Sequence, residues 1–238
     1  MEGNRGLRDR AVATPPHWAN EVIAPFDEEW FHAVEPFIVE SYWSGQQSIN
    51  VFDVVGTSHP DYAGRTWLEF LREGKRMDLN LGLLRENPGY YLEDEPKRPG
   101  MYYRAVDDDR WFVAEDGNHR TAIARFLFHE SGRSMLHGLT VTKYRTDRRA
   151  FDVYTAAAEA IEKSGGKVRL RTRRTKRARA DTGGWMRENW KVEFEWTDLR
   201  RGGTERLTVD EVERRIEPLS HPSRWRGCLA WLRRAAER

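Results

Sequence analysis

Residues 115–121 read Glu-Asp-Gly-Asn-His-Arg-Thr, and this stretch holds the residues best suited to chemistry. The apolar run Trp111 to Ala114 reads as a strand that Glu115-Asp116-Gly117 breaks. A helix follows, with Ala122, Ile123, Phe126 and Leu127 at helical spacing. A strand-to-helix turn of this kind offers free backbone N–H groups and the positive end of a helix dipole, which together favour phosphate. Amides from Gly117 through Asn118, His119 and Arg120 to Thr121 are therefore candidates to hold a β- or γ-phosphate. His119 and Arg120 add side-chain donors, the latter able to bond bidentately and to neutralise developing charge. Glu115 or Asp116 could orient a water or hold Mg2+. The bland alternatives are an Asp116 helix cap, a hydrogen-bonded structural His119 and a solvated Glu115.

The elements that must position this turn follow from pattern. Residues 1–10 are Gly- and Arg-rich and read as frayed, and 11–24 as an extended entry segment. Asp27-Glu28-Glu29 opens a helix that Pro36 ends. Ile49 to Val55 reads as a strand. Gly56 to Gly64 is a loop whose His59 and Asp61 could approach the turn. Helices are predicted over 65–72 and 78–85, then a charged loop over 93–100. Met101 to Val106 and Trp111 to Ala114 pair as a hairpin. The helix after the turn stops near Gly132. A strand over 139–144 and an Ala-rich helix over 149–163 follow. Thr208 and Glu211 form a capping-box pattern for a helix to about Ile216. In a last helix, Trp225, Leu229 and Leu232 share one face.

Composition adds a second candidate surface. Residues 1–140 hold 15 Lys/Arg against 23 Asp/Glu, a net of −8, whereas 141–238 hold 25 against 15, a net of +10. From Lys167 to Arg179 there are eight cations and no acid: Lys167, Arg169, Arg171, Arg173, Arg174, Lys176, Arg177 and Arg179. Lys167 to Arg171 alternates like an edge strand, and the rest through Gly184 reads as a mobile loop. These residue types suit sequence-independent contact with DNA phosphates. Trp185 and Trp190 could stack on unpaired bases or sit in the core. Trp190 to Trp196 alternates, with Val192, Phe194 and Trp196 on one face.

Other chemistries are excluded. The single cysteine, Cys228, rules out an internal disulfide framework and a Cys-based zinc site. No Gly-x-Gly occurs, which removes a dinucleotide-binding fingerprint, and Ser164-Gly165-Gly166-Lys167 lacks the spacing of a P-loop. His129-Glu130 has no second zincin histidine. No apolar run approaches membrane-spanning length and no signal core is present, so a cytoplasmic protein without a transmembrane segment is expected.

The order strand, Asp116-Gly117-Asn118-His119-Arg120, Ala-rich helix resembles the ParB/sulfiredoxin superfamily over roughly residues 45–145. The resemblance implies a small α/β (α+β) mixed sheet with surrounding helices and nucleotide phosphates at this turn. By it, Gly117 matches the glycine that admits phosphate, and His119 and Arg120 match phosphate contacts. Asn118 stands where sulfiredoxins carry their reactive cysteine, so sulfinic-acid reduction is not expected. The Gly-Glu-Arg-Arg turn of partition proteins is missing, which leaves the nuclease or nucleotide-hydrolase branch. Plasmid fertility-inhibition factors, which act against type IV secretion, are similar in fold and combine ATPase with DNase activity.

The expectation is a segment over 1–44, a ParB/sulfiredoxin-like core over 45–145 and a basic C-terminal extension over 146–238. Such a protein would hydrolyse ATP or another nucleoside triphosphate, with Mg2+ as a candidate cofactor, and bind or cleave DNA. A secretion-system protein is a further candidate partner. The competing expectation is a non-catalytic module whose nucleotide switches contact with DNA or protein. A third is an inhibitor that keeps the fold only as a scaffold.

Overall fold

The computed structural model describes residues 6–220, with side chains through Glu217; Cys228 and the predicted helix of Trp225, Leu229 and Leu232 lie outside them. In chain order the elements are α1 (Leu7–Ala13), β1 (Ala24–Pro25), α2 (Glu28–Val34), β2 (Ile38–Asn50), β3 (Val54–Thr57), α3 (Trp67–Glu73), α4 (Met77–Glu86) and α5 (Gly89–Leu92). Then come β4 (Tyr102–Val106), β5 (Trp111–Val113), α6 (Asn118–Ser131), β6 (Met135–Thr146), α7 (Arg148–Lys163), β7 (Val168–Thr182), β8 (Trp185–Asp198), β9 (Thr204–Leu207) and α8 (Val209–Ser220). The protein is a mixed α/β chain.

Two compact units are distinguished. Among the described residues the first comprises 6–31, 41–145 and 179–188, and the second 32–40, 146–178 and 189–220. In the first, β1, β3, β5, β4, β6 and β2 lie side by side in that order. β3 pairs parallel with β5 and β4 parallel with β6, while β4 and β5 form the predicted antiparallel hairpin through Tyr103 and Val113. Its core gathers Val51, Val54, Trp67, Phe70, Tyr103, Val113, Ile123, Phe126 and Val141. The helix of the turn, α6, is buried over most of its length, so β5 and α6 fix the turn from both sides. α3 starts on a reciprocal capping box between Thr66 and Glu69.

In the second unit β7, β8 and β9 are successive neighbours, and β8 meets β9 antiparallel with Phe194 opposite Leu207. Phe37, Val153, Ala157, Ile161, Val192, Phe194, Trp196 and Val212 form its core. The alternation read over 190–196 is thus the inward face of β8. The predicted box of Thr208 and Glu211 opens α8, each group bonding the other's backbone amide.

Four segments differ from expectation, the first being the strand expected over Ile49 to Val55, which a 3-10 turn at Val51–Asp53 divides between β2 and β3. Residues 7–13 are helical rather than frayed, because Arg8 and Arg10 find Asp78 and Glu130 at 2.5 and 2.8 Å while Leu7 and Ala11 are buried. Those partners lie far along the chain, where local reading cannot see them. Residues 38–50 form one strand although polar and broken by Gly45, since β6 and β8 flank it and Gly45 N–H reaches the Gly184 carbonyl at 3.0 Å. The stretch from 172 to 182 continues β7 instead of forming a loop. Its backbone bonds to β8 outweigh a poor intrinsic strand preference.

Candidate functional site

Gly117 is the cap residue of α6, and its φ of +121° is one a side chain resists. A Cβ there would come within 3.2 Å of Met101 Cβ. The missing side chain therefore serves the turn's packing. Asp116 does not cap α6 in the usual manner: its Oδ1 accepts the Gly117 N–H at 2.7 Å, and its Oδ2 takes the Arg120 guanidinium at 2.6 Å.

Arg120 is nearly enclosed, its side chain only 11% exposed. Its Nη1 donates to the Tyr90 hydroxyl and the Pro99 carbonyl, both at 2.7 Å. Burial pulls its pKa down, but Tyr90 and Asp116 outweigh that and raise it. Burial raises Tyr90 in turn, against the pull of Arg120. The guanidinium thus ties the turn to the α5 region. Thr121 is wholly buried, with its hydroxyl shared between the Gly117 carbonyl at 2.8 Å and the Tyr103 hydroxyl at 2.7 Å. Asn118 is buried as well, and Glu115 is exposed.

Beside the turn lies a cleft of about 330 Å3. Of the seven residues the sequence singled out here, it takes Asp116, His119 and Arg120; Glu115, Gly117, Asn118 and Thr121 do not line it. Its other walls were missed. α4 and the residues at its ends supply Arg76, Leu79, Asn80, Leu83, Glu86 and Asn87, and Tyr90, Arg98 and Pro99 close the far side. The signal was present: positions 76, 79, 80, 83, 86 and 87 repeat at helical spacing, opposite the buried stripe of Met77, Leu81 and Leu84. Leu79 and Leu83 stay 63% and 52% exposed, unusual for leucines on adjoining turns. Arg76 and Arg98 are exposed, and among the described residues their guanidiniums have no ion-pair partner.

His119 is held by aromatic rings, with Tyr62 at 5.2 Å and Phe70 at 5.0 Å between centroids. Its Nε2 is buried without a hydrogen-bond partner. Burial first, and the Arg76 cation second, hold its pKa below the usual imidazole value. The ring is therefore neutral at neutral pH, an acceptor rather than a cation. His59 stacks on Tyr62 at 4.2 Å, so the loop histidine does approach the turn, through a shared tyrosine. Asp61 engages His59 through its own backbone N–H.

The cationic run forms the outer strand β7. Arg173 pairs with Glu195 at 3.0 Å, Arg174 lies 4.7 Å over the Trp190 ring, and Arg179 is shared by Asp181 and Glu188. Lys176 also has an interaction, and Lys167 just precedes the strand. Arg169, Arg171 and Arg177 are exposed, with no ion pair among the described residues. Trp185 and Trp190 are both half-buried, Trp185 facing Tyr42 at 6.3 Å.

Among the described residues no group of three His, Cys, Asp or Glu is placed to hold a metal ion, and no helix is long and apolar enough to cross a membrane. Compared with protein-family models, curated proteins and solved structures, the chain matches none.

Proposed function

We propose that the cleft beside α6 binds a nucleoside triphosphate and hydrolyses it, in a ParB/sulfiredoxin-like core. The observation that carries this is the division of its lining. Leu79, Leu83 and the Tyr90 ring offer an apolar wall for a base, whereas Arg76 and Arg98 offer unpaired guanidiniums for phosphates. α6 begins at this turn and brings the positive end of its dipole to His119 and Arg120, which line the cleft. His119, neutral and lining the cleft, is the group to accept a proton from the attacking water. Positioning and charge neutralisation supply most of what phosphoryl transfer needs. Arg120 acts at one remove, by holding the turn.

The two carboxylates of the turn do not fit a protein-held Mg2+: both Asp116 oxygens are engaged, and Glu115 does not line the cleft.

The test is phosphate release from ATP, with nucleotide binding followed by thermal shift. His119→Asn should abolish turnover and keep binding; Arg76→Ala with Arg98→Ala should weaken binding at least tenfold. Unchanged binding in the double variant would sink the cleft assignment. The engaged state of Asp116 favours one second reading, a nucleotide-switched module that binds without turnover. ATP-dependent stabilisation with no phosphate release would select it. DNA, or a protein of a secretion system in the fertility-inhibition reading, is the partner such a switch would control.

A further inference from the structure

We propose that β7 is a rail for one backbone strand of duplex nucleic acid, engaged by Arg169, Arg171 and Arg177. This deepens the DNA-partner side of the function proposed above but does not depend on the cleft. Side chains of a strand alternate, so positions 169, 171, 173, 175 and 177 share a face. The other face is accounted for: Val168 and Leu170 pack on the core, and Arg174 covers Trp190. Successive same-face residues stand about 6.8 Å apart, the rise of two base-pair steps at about 3.4 Å each.

Two features of the neighbouring strand set how the polyanion lies. Glu193 and Glu195 of β8 occupy the same face; Glu195 takes Arg173 at 3.0 Å and Glu193 takes Lys191 at 2.5 Å. A polyanion spread across the sheet would meet these carboxylates. Along the outer strand it meets Arg169, Arg171 and Arg177, which carry no internal partner among the described residues. The favourable path is thus one strand wide. Between the arginines this face presents Thr175 and no aromatic side chain. Single-strand binders rely on ring stacking, so a duplex, whose bases are already stacked, is the better occupant. Guanidinium predominates over ammonium in the run, six to two, which suits bidentate contact with phosphate oxygens.

Fluorescence anisotropy on the full-length protein tests this, using a labelled 20-base-pair duplex, either of its single strands, and a polyglutamate peptide. Duplex binding should be independent of sequence. With about three counterions displaced, the slope of log affinity on log salt should be about −3, or roughly 60-fold between 50 and 200 mM salt. The triple variant R169E/R171E/R177E should lose at least tenfold and flatten that slope, whereas R169K/R171K/R177K should retain most affinity. E193Q/E195Q, which widens the positive face, should tighten binding several-fold. Unaltered binding by the triple glutamate variant, a preference for single strands, or tighter binding of polyglutamate would each overturn the rail. Assays of phosphate release from ATP on the triple variant keep the two proposals apart: turnover should be untouched there, and its absence in the unmodified protein would count against the cleft alone.

Discussion

Two sets of arginines in this protein live under opposite rules. Arg120 and Arg125 on α6 are buried and tied to the protein, Arg120 to Tyr90, Pro99 and Asp116, and Arg125 through Nη1 to backbone carbonyls of residues 51–54. Arg169, Arg171 and Arg177 on β7 lie in water with no ion-pair partner among the described residues. A buried guanidinium must be paired or hydrogen-bonded, or its desolvation is uncompensated. An exposed one gains little from a surface partner and stays available to a ligand. The most conspicuous cation of the Asp-Gly-Asn-His-Arg turn therefore belongs to architecture, and the available charge of the cleft comes from Arg76 and Arg98.

If that division holds, substitutions should separate into those that cost stability and those that cost binding. Arg125 should cost most. Its guanidinium lies 4.6 Å from Trp18 and 4.4 Å from Trp67, and Nη1 donates to the Val54 carbonyl at 2.7 Å. Burial pulls its pKa down to about 10, so it remains charged at neutral pH. Arg125→Ala removes the stacked plane and strands the carbonyls of residues 51–54, and should cost about 3–5 kcal/mol in urea unfolding. A loss under 1 kcal/mol would break the contrast at its buried end.

Arg120→Ala should follow at about 2 kcal/mol, because it removes three hydrogen bonds at once, while Asp116, 62% exposed, can turn to water and Tyr90 keeps its bond to the Pro99 carbonyl. Arg120→Lys should not restore it, since one ammonium cannot reach the three acceptors in their fork geometry. Recovery with lysine would show that charge alone was needed. Gly117→Ala should cost about 1–3 kcal/mol from its φ and the contact with Met101, measured by the same unfolding curves.

How far the sequence exposes all this depends on range. The β4–β5 hairpin, α6, α7 and the alternation of β8 are written in local periodicity, and all are found. The turn was recognisable because strand, glycine and helix are adjacent. Its roles were not, because Asp116 and Arg120 are defined by Tyr90 and Pro99, some twenty to thirty residues away. α1 and the outer part of β7 were misread for different reasons: α1 is held by Asp78 and Glu130, far along the chain, whereas β7 is held by backbone pairing with β8 that its side chains do not announce. The α4 wall shows a different failure. Its stripe was readable, but the helix predicted over 78–85 was given no faces, so the apolar residues on its second side went unremarked.

His119 gives a subtler test. Its folded-state pKa is depressed, so below the ordinary value of 6.5 the unfolded chain takes up a proton that the folded chain resists. The ring's contribution should be intact above 6.5 and be lost as pH falls through the folded value. Unfolding free energy measured between pH 7.5 and 5 should decline more steeply in the unmodified protein than in His119→Asn. Matching slopes would mean the ring is not shielded. If the same ring is the proton acceptor of hydrolysis, the acid limb of turnover should lie below 6.5 as well.

The smallest effects sharpen the comparison most, because stability drops out. Glu115 and Arg177 are both exposed, and neither has an ion-pair partner among the described residues. Replacing either by alanine should change unfolding free energy by less than about 0.5 kcal/mol. They should part on binding. Glu115→Ala leaves both turnover and duplex affinity unchanged, since it lines neither the cleft nor the β7 face. Arg177→Ala reduces the salt slope for duplex by about one while turnover persists. A fall in turnover on losing Glu115 would restore that carboxylate to the chemistry. An unchanged slope on losing Arg177 would make β7 a solvated edge whose charges only deter strand-to-strand aggregation.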